Sequence, residues 1–447
     1  MFHRIACVAF YVAMTVTGVV TTAAAAGETA PYGLKAGKPY AGQSIKVMAV
    51  STPQFTALQK RTQEFTDLTG IEVKWSFVPF KALQEKVTSV GVAANGNFDV
   101  VNYLDQWGAS YAYWLMPLDD YIARDKLDLN DYPPAFLEAL TINGKLNGLP
   151  LRSNVQMMLY RKDIFAKLGL KPPKTWQDLI DAGPKIRAAY PGVAPLGCYY
   201  GADGNRQNLF AWADFVRGAG GRILDDKGYP AWTSPKAMEA TRAYVGLMTK
   251  NNLCGAGATS NVEQDSRVAF QQGRSAVLPI WQWAYSAATN PKDSTLTKDQ
   301  VGFAPMPAYK AGDPPSTVIN VMPVSISAYS KHKDASWEFL KWVTNSDLDK
   351  RNAIERNVNG FAVVNSVVNR WSSMGDPQVN AANDHILLAA KAALEGNAAP
   401  MPEVVYWPEV ADLASVAINQ AASGGDVDAL MNTAAQRANH VVQRALR

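Results

Sequence analysis

Aromatic rings recur beside small polar side chains at a handful of places in this 447-residue chain. Phe55 follows Ser51-Thr52-Pro53, Trp107 follows Asp105-Gln106, Tyr199 and Tyr200 are adjacent, Trp281 and Trp283 flank Gln282, and Tyr406 precedes Trp407. A further cluster, Arg152-Ser153-Asn154, is wholly polar. Flat rings pack on the C–H faces of a sugar, while amides, carboxylates and guanidiniums pair with its hydroxyls. The mixture is therefore the chemistry of a carbohydrate or polyol cleft.

Catalytic arrangements are hard to find. The chain has no Gly-x-Ser-x-Gly turn and no phosphate loop; Gly33 to Lys38 has glycines at the wrong spacing, and Pro39 follows the lysine. His3, His332, His385 and His440 are scattered, and no H-x-x-x-H or C-x-x-C pair exists, so neither a metal site nor a cofactor is expected. Asp119 and Asp120 are adjacent. Neighbouring carboxylates point in different directions, which fits a solvated helix start better than a glycosidase acid/base pair.

Each ring also has a packing role open to it. Trp337 and Trp342 are assigned to the core, and so is Trp212, which stays a candidate because it falls near the expected cleft. Trp281 and Trp283 lie past a strand end, where alternation turns one ring toward a ligand and the other away. Trp107 divides between ligand contact and lobe packing, and Phe55 also suits the apolar face of a helix. Arg152 has a two-pronged donor set that binds an anion better than vicinal hydroxyls. It could instead clamp an interlobe carboxylate such as Asp105. The candidate contacts are thus Ser51, Phe55, Asp105, Gln106, Trp107, Arg152, Asn154, Tyr199, Trp212, Trp281, Gln282, Trp283 and Tyr406.

The elements that must position them follow from periodicity. Ser44 to Val50 reads as a buried strand, and Pro53 to Thr69 as a helix with Phe55, Leu58, Phe65 and Leu68 on one face and Gly70 as its stop. Ile71, Val73, Trp75 and Phe77 alternate as a second strand, a helix carries Leu83, Val87 and Val90, and Phe98 to Tyr103 is a third strand. This rhythm predicts a parallel sheet with right-handed crossovers. Leu149 to Trp176 then reads as a polar crossing, an extended apolar run from Val155 to Tyr160, a short helix closed by Gly169, and a new helix opening at Thr175 with Asp178 as its capping partner. Ser234-Pro235 reads as a helix start capped by the serine, with Met238, Val245 and Met248 turned inward. Val262 to Gln272 is a helix and Ser275 to Ile280 a strand. After the break at Pro314-Pro315, Val318 to Ser327 is an extended return crossing, with helices over Lys333 to Thr344, Ser346 to Glu355, Ala411 to Ala422 and Asp428 to Leu446.

An apolar fraction of 48% and a charged fraction of 18% describe an ordinary folded chain of two-domain length. Arg4, an apolar run from Ile5 to Val20 and Ala23 to Ala26 form a secretory signal peptide, with cleavage expected near Ala26. Cys7 lies at the start of that apolar run and not after it, which argues against lipid attachment there. Losing Arg4 takes the formal charge from +4 to +3, a balance that implies neither nucleic acid nor a basic membrane surface. Cys198 and Cys254 remain, as a disulfide or as two buried thiols. Gly27 to Gln43 reads as an extended leader laid on the surface.

Several of these stretches together resemble the extracellular solute-binding proteins of the sugar-binding type, the capture subunits of ABC importers. They are Thr69-Gly70-Ile71-Glu72-Val73, Phe98-Asp99-Val100-Val101, Met116 to Ile122, the crossing from Leu149, Phe270 to Trp281, Trp337 to Val343 and Met401-Pro402. The resemblance implies a periplasmic-binding-protein-like α/β fold with two lobes, a hinge of two or three crossings and a ligand cleft between. It implies a signal peptide over 1–26, an N-terminal lobe of 27–152 plus 319–382, and a C-terminal lobe of 153–318 plus 383–447. It also implies a monomer in the periplasm that delivers a monosaccharide, polyol or small glycoside to a permease driven by a separate ATPase, without chemistry of its own. The positions around Asp105 and Trp107, Arg152 and Asn154, and the Trp281 block are carried over from the family as ligand contacts. Rival readings are a binder of anionic glycosides, polyamines or amino acids, a secreted carbohydrate-active enzyme, and a chemoreceptor partner.

Overall fold

Parallel neighbours require a crossover, and helices supply it over the first hundred residues. The computed structural model describes residues 30–202, 205–363 and 367–447, so the signal peptide expected over 1–26 lies outside the described residues. Its main sheet has nine strands: β1 Ser44–Val50, β2 Glu72–Val78, β3 Val100–Asn102, β4 Leu149–Arg161, β5 Ala194–Leu196, β6 Ser275–Trp281, β7 Val301–Ala304, β8 Ser316–Ile326 and β9 Asn397–Ala399. The order is β2-β1-β3-β8-β4-β6-β5, with β9 on β8 and β7 on β4. β1 pairs parallel with both β2 and β3, as expected. The third strand is shorter than Phe98 to Tyr103.

Two long strands span the sheet. The first part of β4, through Val155, pairs antiparallel with β8, and its second part pairs with β6 and β7. β8 likewise pairs with β9 at one end and β3 at the other. The polar crossing and the apolar run read separately from the sequence are thus one 13-residue strand. The register slips between Met322 and Pro323, where Pro323 sits opposite Pro150 and neither can donate to the ladder.

Capping explains several boundaries. Thr175 and Asp178 form the expected reciprocal cap on the helix Trp176–Ala189, with Thr175 N donating to Asp178 Oδ2 at 2.9 Å. Ser234 is a correction: it precedes Pro235–Thr249, but its hydroxyl makes no capping bond, and Pro235 alone sets the start. The helix read from Ala411 begins earlier, at Trp407–Ala422, because Pro408 fits its first turn. Trp337 and Trp342 are core residues, with Trp342 at 5.4 Å from the Phe65 ring. The leader is pinned where Lys35 N donates to Glu338 and Lys341 Nζ to the Gly33 carbonyl.

Cys198 and Cys254 are bonded, with Cα atoms 5.4 Å apart. The bond ties the end of β5 to the segment after Pro235–Thr249 and closes a 56-residue span. A Cys198→Ala/Cys254→Ala variant is expected to lose about 2–4 kcal/mol of unfolding free energy. Equal urea midpoints for this variant and the oxidised parent would contradict a structural role for the bond.

Candidate functional site

Over Leu151 to Val155, β4 has β8 on one edge and no strand on the other. Buried backbone groups need partners, and side-chain amides supply them. Gln282 accepts from Val155 N at 2.7 Å and donates to the Ser153 carbonyl at 3.0 Å. Asn369 accepts from Ser153 N and donates to the Leu151 carbonyl, which Gln54 also reaches at 3.1 Å. Gln282, expected as a ligand contact, is therefore a clasp on the crossing strand, with both ends of its amide engaged.

Residues of one parity share a face of a strand, so Arg152, Asn154 and Gln156 project together. Asn154 donates to Asn320 Oδ1 at 3.3 Å, and Asn320 donates to Asp105 Oδ1 at 2.9 Å. Asp105 also accepts from Val321 N and Gln106 N. Gln106 Oε1 accepts from Trp407 Nε1, and Gln156 donates to Tyr199 OH. These contacts gather β3, both crossing strands, the segment after β5 and the late helix around one buried polar cluster, in which Gln156 and Tyr199 form a pair apart from the bonds that run through Asp105. Within it, Asn154 Oδ1, Gln156 Oε1 and Gln106 Nε2, together with Trp107 Nε1 beside it, have no hydrogen-bond partner. Burial pushes the Asp105 carboxyl above the ordinary carboxylate range, and its three donors oppose that.

A second group lies on the β6 side. Trp281 is buried, donates to Glu263 Oε2 at 2.7 Å and meets Phe210 edge-on. Trp283 is half-buried, with the guanidiniums of Arg152 and Arg267 at 5.5 Å and 5.7 Å from its ring. Burial raises Glu263 to about 7, opposed by the Trp281 N–H and by both arginines. Arg152 does not clamp Asp105: its hydrogen bond goes to Met322 Sδ, and burial lowers it to about 10.

Other expected residues lie apart from these groups. Ser51 is exposed at the end of β1, and Phe55 is enclosed in the core. The residue of that turn that reaches the crossing is Gln54. Trp212 is fully buried, bonded to Thr241 and packed on Trp232, and Tyr406 bonds the Gly228 carbonyl. Sequence reading missed Gln156, Asn320 and Glu263. Gln156 and Asn320 sit on the crossing strands beside residues that were chosen, and two-residue periodicity from Asn154 points to the first of them.

A family model described as bacterial extracellular solute-binding protein matches residues 49–349. The chain belongs to that family. A Sinorhizobium fredii relative, described as a probable amino-acid ABC transporter periplasmic-binding protein, is 25% identical over 82% of this chain and 81% of its own. A mannitol-binding protein of Pseudomonas aeruginosa is 25% identical over 69% of this chain and 70% of its own. A solute-binding protein of Agrobacterium radiobacter, solved in complex with ribitol, superposes with a TM-score of 0.76 at 25% identity over 90% of this chain and 100% of that one.

This solute-binding protein also has a cavity of about 370 Å3 bounded by Glu138, Arg217, the Gly221 to Leu224 segment and the Ala399 to Glu403 segment. None of the thirteen expected contacts lines it. Glu403 connects the two regions: burial raises its carboxyl well above the ordinary range, and repulsion from Asp105 and Glu138 adds to that. Its Oε1 has no hydrogen-bond partner.

A raised carboxyl makes the folded state bind protons that the unfolded chain has released. The stability tied to Asp105 and Glu403 is complete below about pH 4 and declines as pH rises through their folded-state values. Between pH 5 and 8, Glu403→Gln should show a shallower fall in unfolding free energy than the parent, by up to about 1.4 kcal/mol per pH unit. Parallel urea-denaturation profiles across that window would contradict the buried protonated carboxyl.

Proposed function

We propose that this protein captures a sugar or polyol between two lobes in the periplasm and hands it to the permease of an ABC importer powered by a separate ATPase. The lobes are residues 27–152 with 319–382 and residues 153–318 with 383–447. The protein acts as a monomer and releases its ligand chemically unchanged. The observation that carries this reading is the set of unpaired buried atoms on Asn154, Gln156, Gln106 and Trp107. An unpartnered buried polar group is costly, and a hydroxylated ligand offers each a partner that is both donor and acceptor.

The mannitol-binding relative and the ribitol-bound neighbour support a polyhydroxylated ligand. The Sinorhizobium fredii relative's description favours a second reading, an amino acid. The opposite charges of Arg152, over the Trp283 ring, and Glu263, bonded to Trp281, offer partners for its carboxylate and amine. Lobe closure follows from differential affinity, since a ligand touching both crossing strands and the β6 side binds best when they approach.

A thermal-shift screen of residues 27–447 against sugars, polyols and amino acids separates the two. A sugar or polyol at about one hundred times its dissociation constant should stabilise the fold by roughly 2.7 kcal/mol and be recovered intact. A shift confined to amino acids, or a ligand recovered as hydrolysis products, would overturn the proposal.

A further inference from the structure

Two guanidiniums face one indole ring on the β6 side of the cluster. Arg152 and Arg267 lie 5.5 Å and 5.7 Å from the Trp283 ring, and all three side chains keep some access to solvent. Neither arginine takes part in an ion pair among the described residues. Arg152 has one hydrogen bond there, to the weak acceptor Met322 Sδ at 3.5 Å, and Arg267 donates to the neutral Gln271 Oε1 at 2.9 Å. Most of the five donors that each guanidinium carries are uncommitted.

The charges around the pair do not cancel. Glu263 is the acidic group that interacts with both arginines, and its Oε2 is held by Trp281. Two cations against one carboxylate leave one positive charge in excess. The other acidic groups of the cluster, Asp105 and Glu403, are pushed toward the neutral form by burial and offset it only weakly. A guanidinium partly withdrawn from water without a counter-charge is unfavourable, and a ligand anion relieves that through paired, charge-assisted hydrogen bonds.

We infer that the solute is an acidic polyhydroxy compound whose carboxylate or phosphate docks on Arg152, with Arg267 supplying the second positive charge. The inference rests on the sugar-or-polyol reading and narrows it. The hydroxylated body lies toward Asn154, Gln156 and Gln106, two to four residues along the same strand face and across the β3 turn. The acidic group lies toward Trp283.

Calorimetric titration of matched pairs tests this: D-gluconate against D-mannitol for a carboxylate, and sorbitol 6-phosphate against sorbitol for a phosphate. One acidic member should bind at least about ten-fold tighter than its neutral partner, and the gap should narrow as salt rises from about 0.02 M to about 0.5 M. Arg152→Gln should abolish the preference, Arg152→Lys should keep part of it, and Arg267→Gln should weaken it with Arg152 intact. If Arg152→Gln does not fold, the Arg267→Gln titration and the salt dependence of the parent decide the matter. Neutral members binding as tightly as acidic ones, with both Gln variants unchanged, would overturn this inference and leave the sugar-or-polyol reading standing. Binding of glycine or glutamate with none of the four hydroxylated probes would overturn both.

Discussion

The uncovered edge of one crossing strand is the constraint from which the rest of the molecule follows. Between Leu151 and Val155, β4 is flanked by β8 on one side only, yet its backbone there is buried. Each unpaired buried N–H or C=O would cost about 1–3 kcal/mol. Gln54, Asn369 and Gln282 complete that edge, from three different parts of the chain. A strand held so firmly can pass from one half of the sheet to the other without a loop. The opposed Pro150 and Pro323, which weaken the ladder at one register position, give the crossing a defined place to bend.

The same strand positions the chemistry. Because the amides clasp its edge, the side chains of Arg152, Asn154 and Gln156 are free to project from one face. Asn154 meets Asn320 across the β4–β8 ladder, and through it Asp105 at the end of β3. The atoms left without partners are on the members of this network that both crossing strands and the β3 turn hold in place. In the proposed reading, binding energy is available where the two halves of the sheet meet, and a ligand there biases their approach.

Much of the fold was legible from pattern alone. The strand–helix rhythm of the first hundred residues, the reciprocal cap at Thr175 and the return crossing all reflect local rules, and the structure obeys them. Ser234 shows the limit of such rules, since a residue of the right type at the right place leaves its hydroxyl out of the cap. Of the residues chosen as candidates, Asp105, Asn154 and Trp107, marked by their position past or along strands, lie in or beside the buried polar cluster. Composition did not show that the Gln282 amide is bonded to the β4 backbone or that Trp212 packs in the core, because it cannot tell an amide that serves the backbone from one that serves a ligand, nor a tryptophan near a cleft from one in a core. Glu263 was missed because an acidic residue in a first helical turn is ordinarily solvated, and only the tertiary contact with Trp281, whose ring meets Phe210, shows it as a buried group. The disulfide was undecidable from sequence, since spacing carries no information on separation in space.

In the proposed reading, ligand binds at the crossing strands rather than in the cavity beside Arg217. A crystal structure of residues 27–447 grown with the tightest ligand from the screen tests it most directly. The account predicts ligand atoms within hydrogen-bond distance of Asn154 Oδ1, Gln156 Oε1 or Gln106 Nε2, with a tryptophan ring alongside. Ligand seated instead among Glu138, Arg222 and Met401, with those amide atoms still unpaired, would contradict it.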